Sequence, residues 1–92
     1  MGNIFYSRGV KLEYKVKNLL EEKGYFVMRS VGSHGPVDLI AGNGREIIVI
    51  QCKTNLERIN KEDIRSLNIA AVKLKAKPFI VGKEMEFINV KT

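Results

Sequence analysis

Three polar side chains interrupt two apolar runs. Asp38 lies in Gly35-Pro36-Val37-Asp38-Leu39-Ile40, and Gln51 and Lys53 lie in Ile47-Ile48-Val49-Ile50-Gln51-Cys52-Lys53. Asp38 and Gln51 present oxygen donors, which suit a hard divalent cation such as Mg²⁺ that keeps several waters and takes few protein ligands. Lys53 adds a positive charge able to orient a water or to stabilise negative charge developing on a phosphate. Together they are equipped for phosphodiester hydrolysis. The same residues also read as an Asp–Lys ion pair at the end of a hairpin with Gln51 in solvent, and spacing alone weighs the two readings equally.

The difference lies in how the strands meet. Asn43-Gly44 between the runs is a strong two-residue hairpin signal, since both positions need positive φ. That loop predicts Gly42 opposite Arg45, Ala41 opposite Glu46 and Asp38 opposite Val49. Paired residues share a face and side chains alternate along a strand. Asp38, Val49, Gln51 and Lys53 are then expected on one side, with Ile48, Ile50 and Cys52 on the other. A slip of one residue would separate Asp38 from Gln51 and Lys53.

Around this hairpin the pattern predicts one compact unit. Ser7 is the expected N-cap of a first helix in which Val10, Leu12, Val16, Leu19 and Leu20 recur at helical spacing until Gly24. Glu13 lies at the edge of that stripe, placed to pair with Lys17 as an ordinary surface residue. Residues 25–31 read as a strand and 32–36 as a loop of small residues. The segment 54–59 is polar and poorly patterned. Asn60 with Asp63 resembles a helix start, and Ile64, Leu67, Ile69, Ala70, Ala71, Val72 and Leu74 fit a helix ending near Ala76. Pro78 opens a strand, and residues 85–90 return as its hairpin partner around Gly82-Lys83-Glu84. The order is αβββαββ, an α/β arrangement with helices covering a sheet apolar on both faces.

Asp38, twelve residues, then Gln51-Cys52-Lys53 resembles the active-site signature of the PD-(D/E)XK nuclease superfamily. More narrowly, Arg8-Gly9, Glu13, Gly24 to Ser30, Gly32-Ser33, Val37 to Gly44 and Ile50 to Lys53 together resemble the archaeal Holliday-junction resolvases, in order over most of residues 8–53. The resemblance implies a restriction-endonuclease-like core with a mixed five-stranded sheet flanked by helices. It makes Asp38 the central metal ligand and Lys53 the water-orienting, charge-stabilising group. Glu13 becomes a further metal-site carboxylate, and Ser33 a loop serine near the scissile phosphate. Gln51 stands where the family usually has a carboxylate; its oxygen can still ligate a cation, as in other branches of the superfamily. The implied cofactor is Mg²⁺, with Mn²⁺ as its substitute. Arg29 falls where the family often has a basic residue.

Composition agrees with a small nucleic-acid-binding protein. The 92 residues allow one domain, 1–92, with a modest core, and a net charge of +6 from 16 Lys and Arg against 10 Asp and Glu favours polyanions. Arg8, Lys11, Lys15 and Lys17 crowd the first helix. Beside a metal site, Arg8, Lys11, Lys15 and Arg29 read as DNA contacts, with Ser33 and His34 contacting phosphate from a loop whose glycines permit close approach. The single Cys52 cannot form an internal disulfide and reads as a packed apolar residue. The N-terminus has no signal-peptide apolar region, and no run reaches membrane-spanning length, so no membrane partner and a cytoplasmic site of action are expected.

The expected activity is metal-dependent cleavage of branched DNA, with a four-way junction as substrate. A near two-fold junction calls for two sites in a symmetric arrangement, so a homodimer is expected. Family members are longer than this chain, which stops near its last strand, so the surface they dimerise through is expected to be altered or missing. The alternatives are a nuclease of the same superfamily acting on other DNA, and a non-catalytic DNA-binding module of the same fold. Cutting of linear duplex as readily as junctions would favour the first, and tight binding without metal-dependent product the second.

Overall fold

The computed structural model describes residues 4–30 and 35–92, with side chains from residue 9 onward. Helix α1 spans Ile4–Glu22 and starts three residues ahead of Ser7, so Ser7 lies within the helix and is not its cap. Leu12, Val16 and Leu20, four residues apart, are its buried stripe. Gly24 stops it with φ +93°, across which the Tyr25 amide returns to the Leu20 carbonyl at 3.0 Å.

Strands β1 Phe26–Arg29, β2 Leu39–Gly42 and β3 Ile47–Lys53 follow, then a 3₁₀ turn Leu56–Arg58, α2 Lys61–Leu74, β4 Lys77–Gly82 and β5 Phe87–Asn89. The sheet order is β1-β2-β3-β4-β5, antiparallel except for the parallel β3–β4 pair that α2 connects. This is the αβββαββ order and the mixed five-stranded sheet anticipated above. Asn60 caps α2 by accepting the Asp63 amide at 2.8 Å, and Lys75 closes it in a left-handed conformation, φ 55°, just before the end expected near Ala76.

The sheet separates two apolar layers. Leu12, Val16 and Leu20 of α1 pack on Val27, Leu39, Ala41, Ile48 and Ile50, whereas Leu67 and Ala71 of α2 pack on Val49, Ile80 and Ile40. Alternation along β3 therefore sends Ile48, Ile50 and Cys52 toward α1, and Val49, Gln51 and Lys53 toward the α2 side.

The hairpin corrects the expected register by two residues: Gly42 pairs with Ile47, Ala41 with Ile48 and Leu39 with Ile50. The loop holds four residues instead of two because Asn43 builds it from its side chain. Its Oδ1 accepts the Arg45 and Glu46 amides, each at 2.9 Å, and its own amide donates to the Glu46 carbonyl at 3.2 Å. An even shift preserves which residues of β3 face which helix.

Candidate active site

Asp38 stands one step before β2, off the regular ladder. Its amide donates to the Ile50 carbonyl at 2.8 Å although Leu39 is the ladder partner of Ile50, so two residues address one in the manner of a β-bulge. Its Oδ2 accepts the Cys52 amide at 2.8 Å. The aspartate is thus fastened to the residues on either side of Gln51, a placement the two-residue hairpin did not anticipate. Loss of hydration pushes its carboxyl above the ordinary value of 3.8; the Cys52 amide counters this, Glu13 adds to it, and Lys53 opposes it. Asp38 therefore lies within electrostatic reach of α1 on one side and of Lys53 on the other.

Gln51 pairs with Ile80 in the parallel ladder, and its Oε1 is buried with no hydrogen-bond partner among the described residues. A buried acceptor without a donor is costly and invites a ligand. The Lys53 ammonium stands 3.1 Å from Asp63 Oδ2, at the first turn of α2, in an ion pair that lacks hydrogen-bond alignment. The spacing that marked Asp63 as part of a helix start held no signal for this long-range contact.

Glu13 does not pair with Lys17, which bonds Glu21 instead at 2.9 Å. Its Oε1 accepts from Arg29 Nη1 at 2.9 Å, with both side chains about one-sixth exposed, and the Arg29 guanidinium lies 4.8 Å from the centre of the Tyr14 ring. Arg29 is thereby engaged on α1, and it holds the α1 carboxylate whose charge reaches Asp38. The Cys52 thiol is pushed upward chiefly by burial, with the charges of Asp38 and Glu13 adding, so it stays a protonated packing group. Ser33 and His34 lie outside the described residues, and of Arg8 only the helical backbone is described.

Lys11 and Lys15 line a groove of about 790 Å³ between α1 and the segment after β3. Thr54, Asn55, Lys83 and the acidic Glu57 and Glu86 complete its polar wall. Sequence reasoning did not single out Asn55 or Lys83, which the turns following the parallel strands β3 and β4 bring to the same wall.

Residues 5–91 match the model of the archaeal Holliday junction resolvase family, Hjc. The chain belongs to that family. The crossover junction endodeoxyribonuclease Hjc of Methanocaldococcus jannaschii is 43% identical over 90 residues, 91% of this chain and 67% of that protein. The solved structure of Archaeoglobus fulgidus Hjc, a Holliday junction resolvase from an archaeal hyperthermophile, is similar with a TM-score of 0.78 at 25% identity, covering 91% of this chain and 74% of that one. The structural likeness carries the restriction-endonuclease-like architecture expected of a resolvase.

In this resolvase chain, no three His, Cys, Asp or Glu side chains among the described residues stand close enough together to form a cation cage. The oxygen donors nonetheless fit a hard, largely hydrated divalent ion. Gln51 Oε1 is buried and unsatisfied among the described residues, and the Asp38 carboxylate carries a desolvated charge that a cation would relieve. Among the described residues, no helix of this resolvase is long and apolar enough to cross a membrane.

Proposed function

We propose that this chain is a single nuclease domain, residues 1–92, that cuts four-way DNA junctions in paired phosphodiester hydrolysis with a divalent metal, Mg²⁺ or in its place Mn²⁺. The observation that carries the reading is the end of β3. There a fastened, desolvated Asp38 lies within electrostatic reach of Lys53, two residues along β3 from a Gln51 oxygen unsatisfied among the described residues, in a chain of the resolvase family.

In this reading Asp38 and Gln51 hold the metal, and Glu13 acts from the α1 side. The metal, when bound, polarises the phosphate and makes its water a stronger nucleophile. Asp38 cannot rotate freely, because Cys52 fixes one oxygen and leaves the other to the ligand. Lys53 orients the attacking water and balances the charge that builds on the phosphate. Ser33 is assigned to the scissile phosphate. Lys11 and Lys15 receive backbone phosphates along their groove, with Arg8, Arg29 and His34 as further DNA contacts.

A junction resolved by two cuts calls for a homodimer. Among the described residues, helix α2 packs chiefly against β3 and β4, away from β1. Val27 faces α1, so its neighbours Phe26 and Met28, 74% and 58% exposed, face the opposite side. Val72 of α2 is 76% exposed, and these apolar side chains are the surface assigned to the second copy. The protein would act in the cytoplasm, where a DNA-processing enzyme of this kind meets its substrate.

The test is cleavage of junction and linear duplex DNA across a Mg²⁺ and Mn²⁺ titration by wild type, Asp38→Ala and Lys53→Ala. Junction cleavage that both substitutions abolish, with most binding retained, is expected. Unchanged cleavage by Asp38→Ala would refute the site assignment, and equal cutting of linear duplex would refute the substrate.

A further inference from the structure

We infer that Asp63 is a positioning residue for Lys53, supplying from α2 the negative charge that position 51 lacks in this chain. The inference rests on the nuclease reading above. Gln51 and Lys53 lie two residues apart on one face of β3, so a carboxylate at position 51 would neighbour the ammonium within the same strand. With an amide there, the strand offers Lys53 no counter-charge. Asp38 acts on the ammonium from a distance, just ahead of β2, and the carboxylate in direct contact with it is Asp63, whose Oδ2 lies 3.1 Å from Nζ.

Asp63 is well placed for this task. It occupies the third position of α2, and its backbone amide is tied to the Asn60 side chain at 2.8 Å. In such a cap the side chain at this position commonly reaches back to the cap residue's own amide. Here Oδ2 makes no hydrogen bond among the described residues and meets the lysine across the gap between helix and strand. Both side chains are only about a quarter exposed, 27% for Lys53 and 23% for Asp63, so the pair is partly shielded from water and holds the ammonium in one place. A flexible four-carbon stem left without that anchor samples many positions, and misplacing a reacting group by about 1 Å costs roughly a hundredfold in rate.

The experiment measures single-turnover junction cleavage and junction affinity for wild type, Asp63→Asn, Asp63→Glu, Gln51→Glu and the Gln51→Glu/Asp63→Asn double variant, with melting curves for each. Asp63→Asn is nearly isosteric and leaves the backbone cap intact. It is expected to lower the cleavage rate by roughly ten- to a hundredfold while leaving junction affinity within about twofold. Asp63→Glu should restore part of the rate. Gln51→Glu should rescue Asp63→Asn far more than it improves wild type, because it returns a carboxylate to the same face of β3; a merely structural pair would show no such rescue. Wild-type rate in Asp63→Asn, a faster rate, or a double variant no better than Asp63→Asn overturns the inference and leaves the nuclease reading intact. A wild-type protein that cuts no junction at any metal concentration overturns the nuclease reading and this inference with it.

Discussion

Asp38 and Cys52 are joined by a side-chain to main-chain hydrogen bond, Oδ2 to the amide at 2.8 Å, while the Asp38 amide donates to the carbonyl of Ile50. Two bonds thus fasten one acidic residue around Gln51. The carboxylate is fixed by backbone and not by another side chain, so its position is set by strand pairing itself.

The first prediction concerns acid stability. The folded-state value of Asp38 lies above its ordinary 3.8, with desolvation as the main cause. Between these two values the folded chain binds more proton than the unfolded chain, so this residue makes stability fall as pH rises through that window. Asp38→Asn keeps an oxygen for the Cys52 amide and removes the desolvated charge. It should melt higher than wild type at pH 7, with the advantage vanishing below about pH 4, and should lose cleavage by at least about a hundredfold. Saturating Mg²⁺ should narrow the melting difference, and chelation should restore it. Equal melting temperatures for the two proteins at pH 7 without metal would contradict the assigned burial cost.

Position 51 gives the second prediction. Replacing the Gln51 oxygen, buried and unpartnered among the described residues, by a carboxylate places a charge where no donor meets it. Without metal, Gln51→Glu should destabilise the fold; with Mn²⁺ it should bind on the order of tenfold more tightly. Calorimetric titration of both proteins measures this directly, and an unaltered affinity would remove Gln51 from the ligand set.

Two ion pairs of α1 should behave differently. Glu13 with Arg29 is about one-sixth exposed on each side, whereas Lys17 with Glu21 is open to solvent. Arg29→Met strands a carboxylate and should cost roughly 2–3 kcal/mol, but Lys17→Met should cost no more than about 0.5 kcal/mol. Urea unfolding of the two variants separates these values.

The fourth prediction is oligomeric. Phe26→Lys on β1 and Val72→Lys on α2 place charge on the exposed apolar side chains assigned to the second copy. Each should shift sedimentation from dimer to monomer and reduce paired cleavage to single nicks. A sedimenting species identical to wild type would assign the dimer surface elsewhere.

Much of this fold was legible because its signals are local. The Leu12, Val16 and Leu20 stripe, the stop at Gly24 and the Asn60 cap each depend on neighbours within a few residues, and all fall where the sequence places them. Helix α1 runs past Ser7 because serine, though favoured at a cap, costs under about 0.7 kcal/mol inside a helix that the chain ahead of it continues. At the hairpin, Asn43 satisfied both readings: its side chain served a four-residue loop as readily as its backbone would serve a two-residue turn. Glu13 with Arg29, Lys53 with Asp63 and Asp38 with the Cys52 amide join distant or offset segments, and no periodicity encodes them.

The sheet's position between two unconnected apolar layers bears on how this protein fails. In the proposed site Glu13 comes from α1, packed on one layer, and Asp63 from α2, packed on the other, so that site would depend on both layers at once. Heat need only loosen the weaker layer for activity to disappear, and inactivation should run ahead of the loss of helical signal.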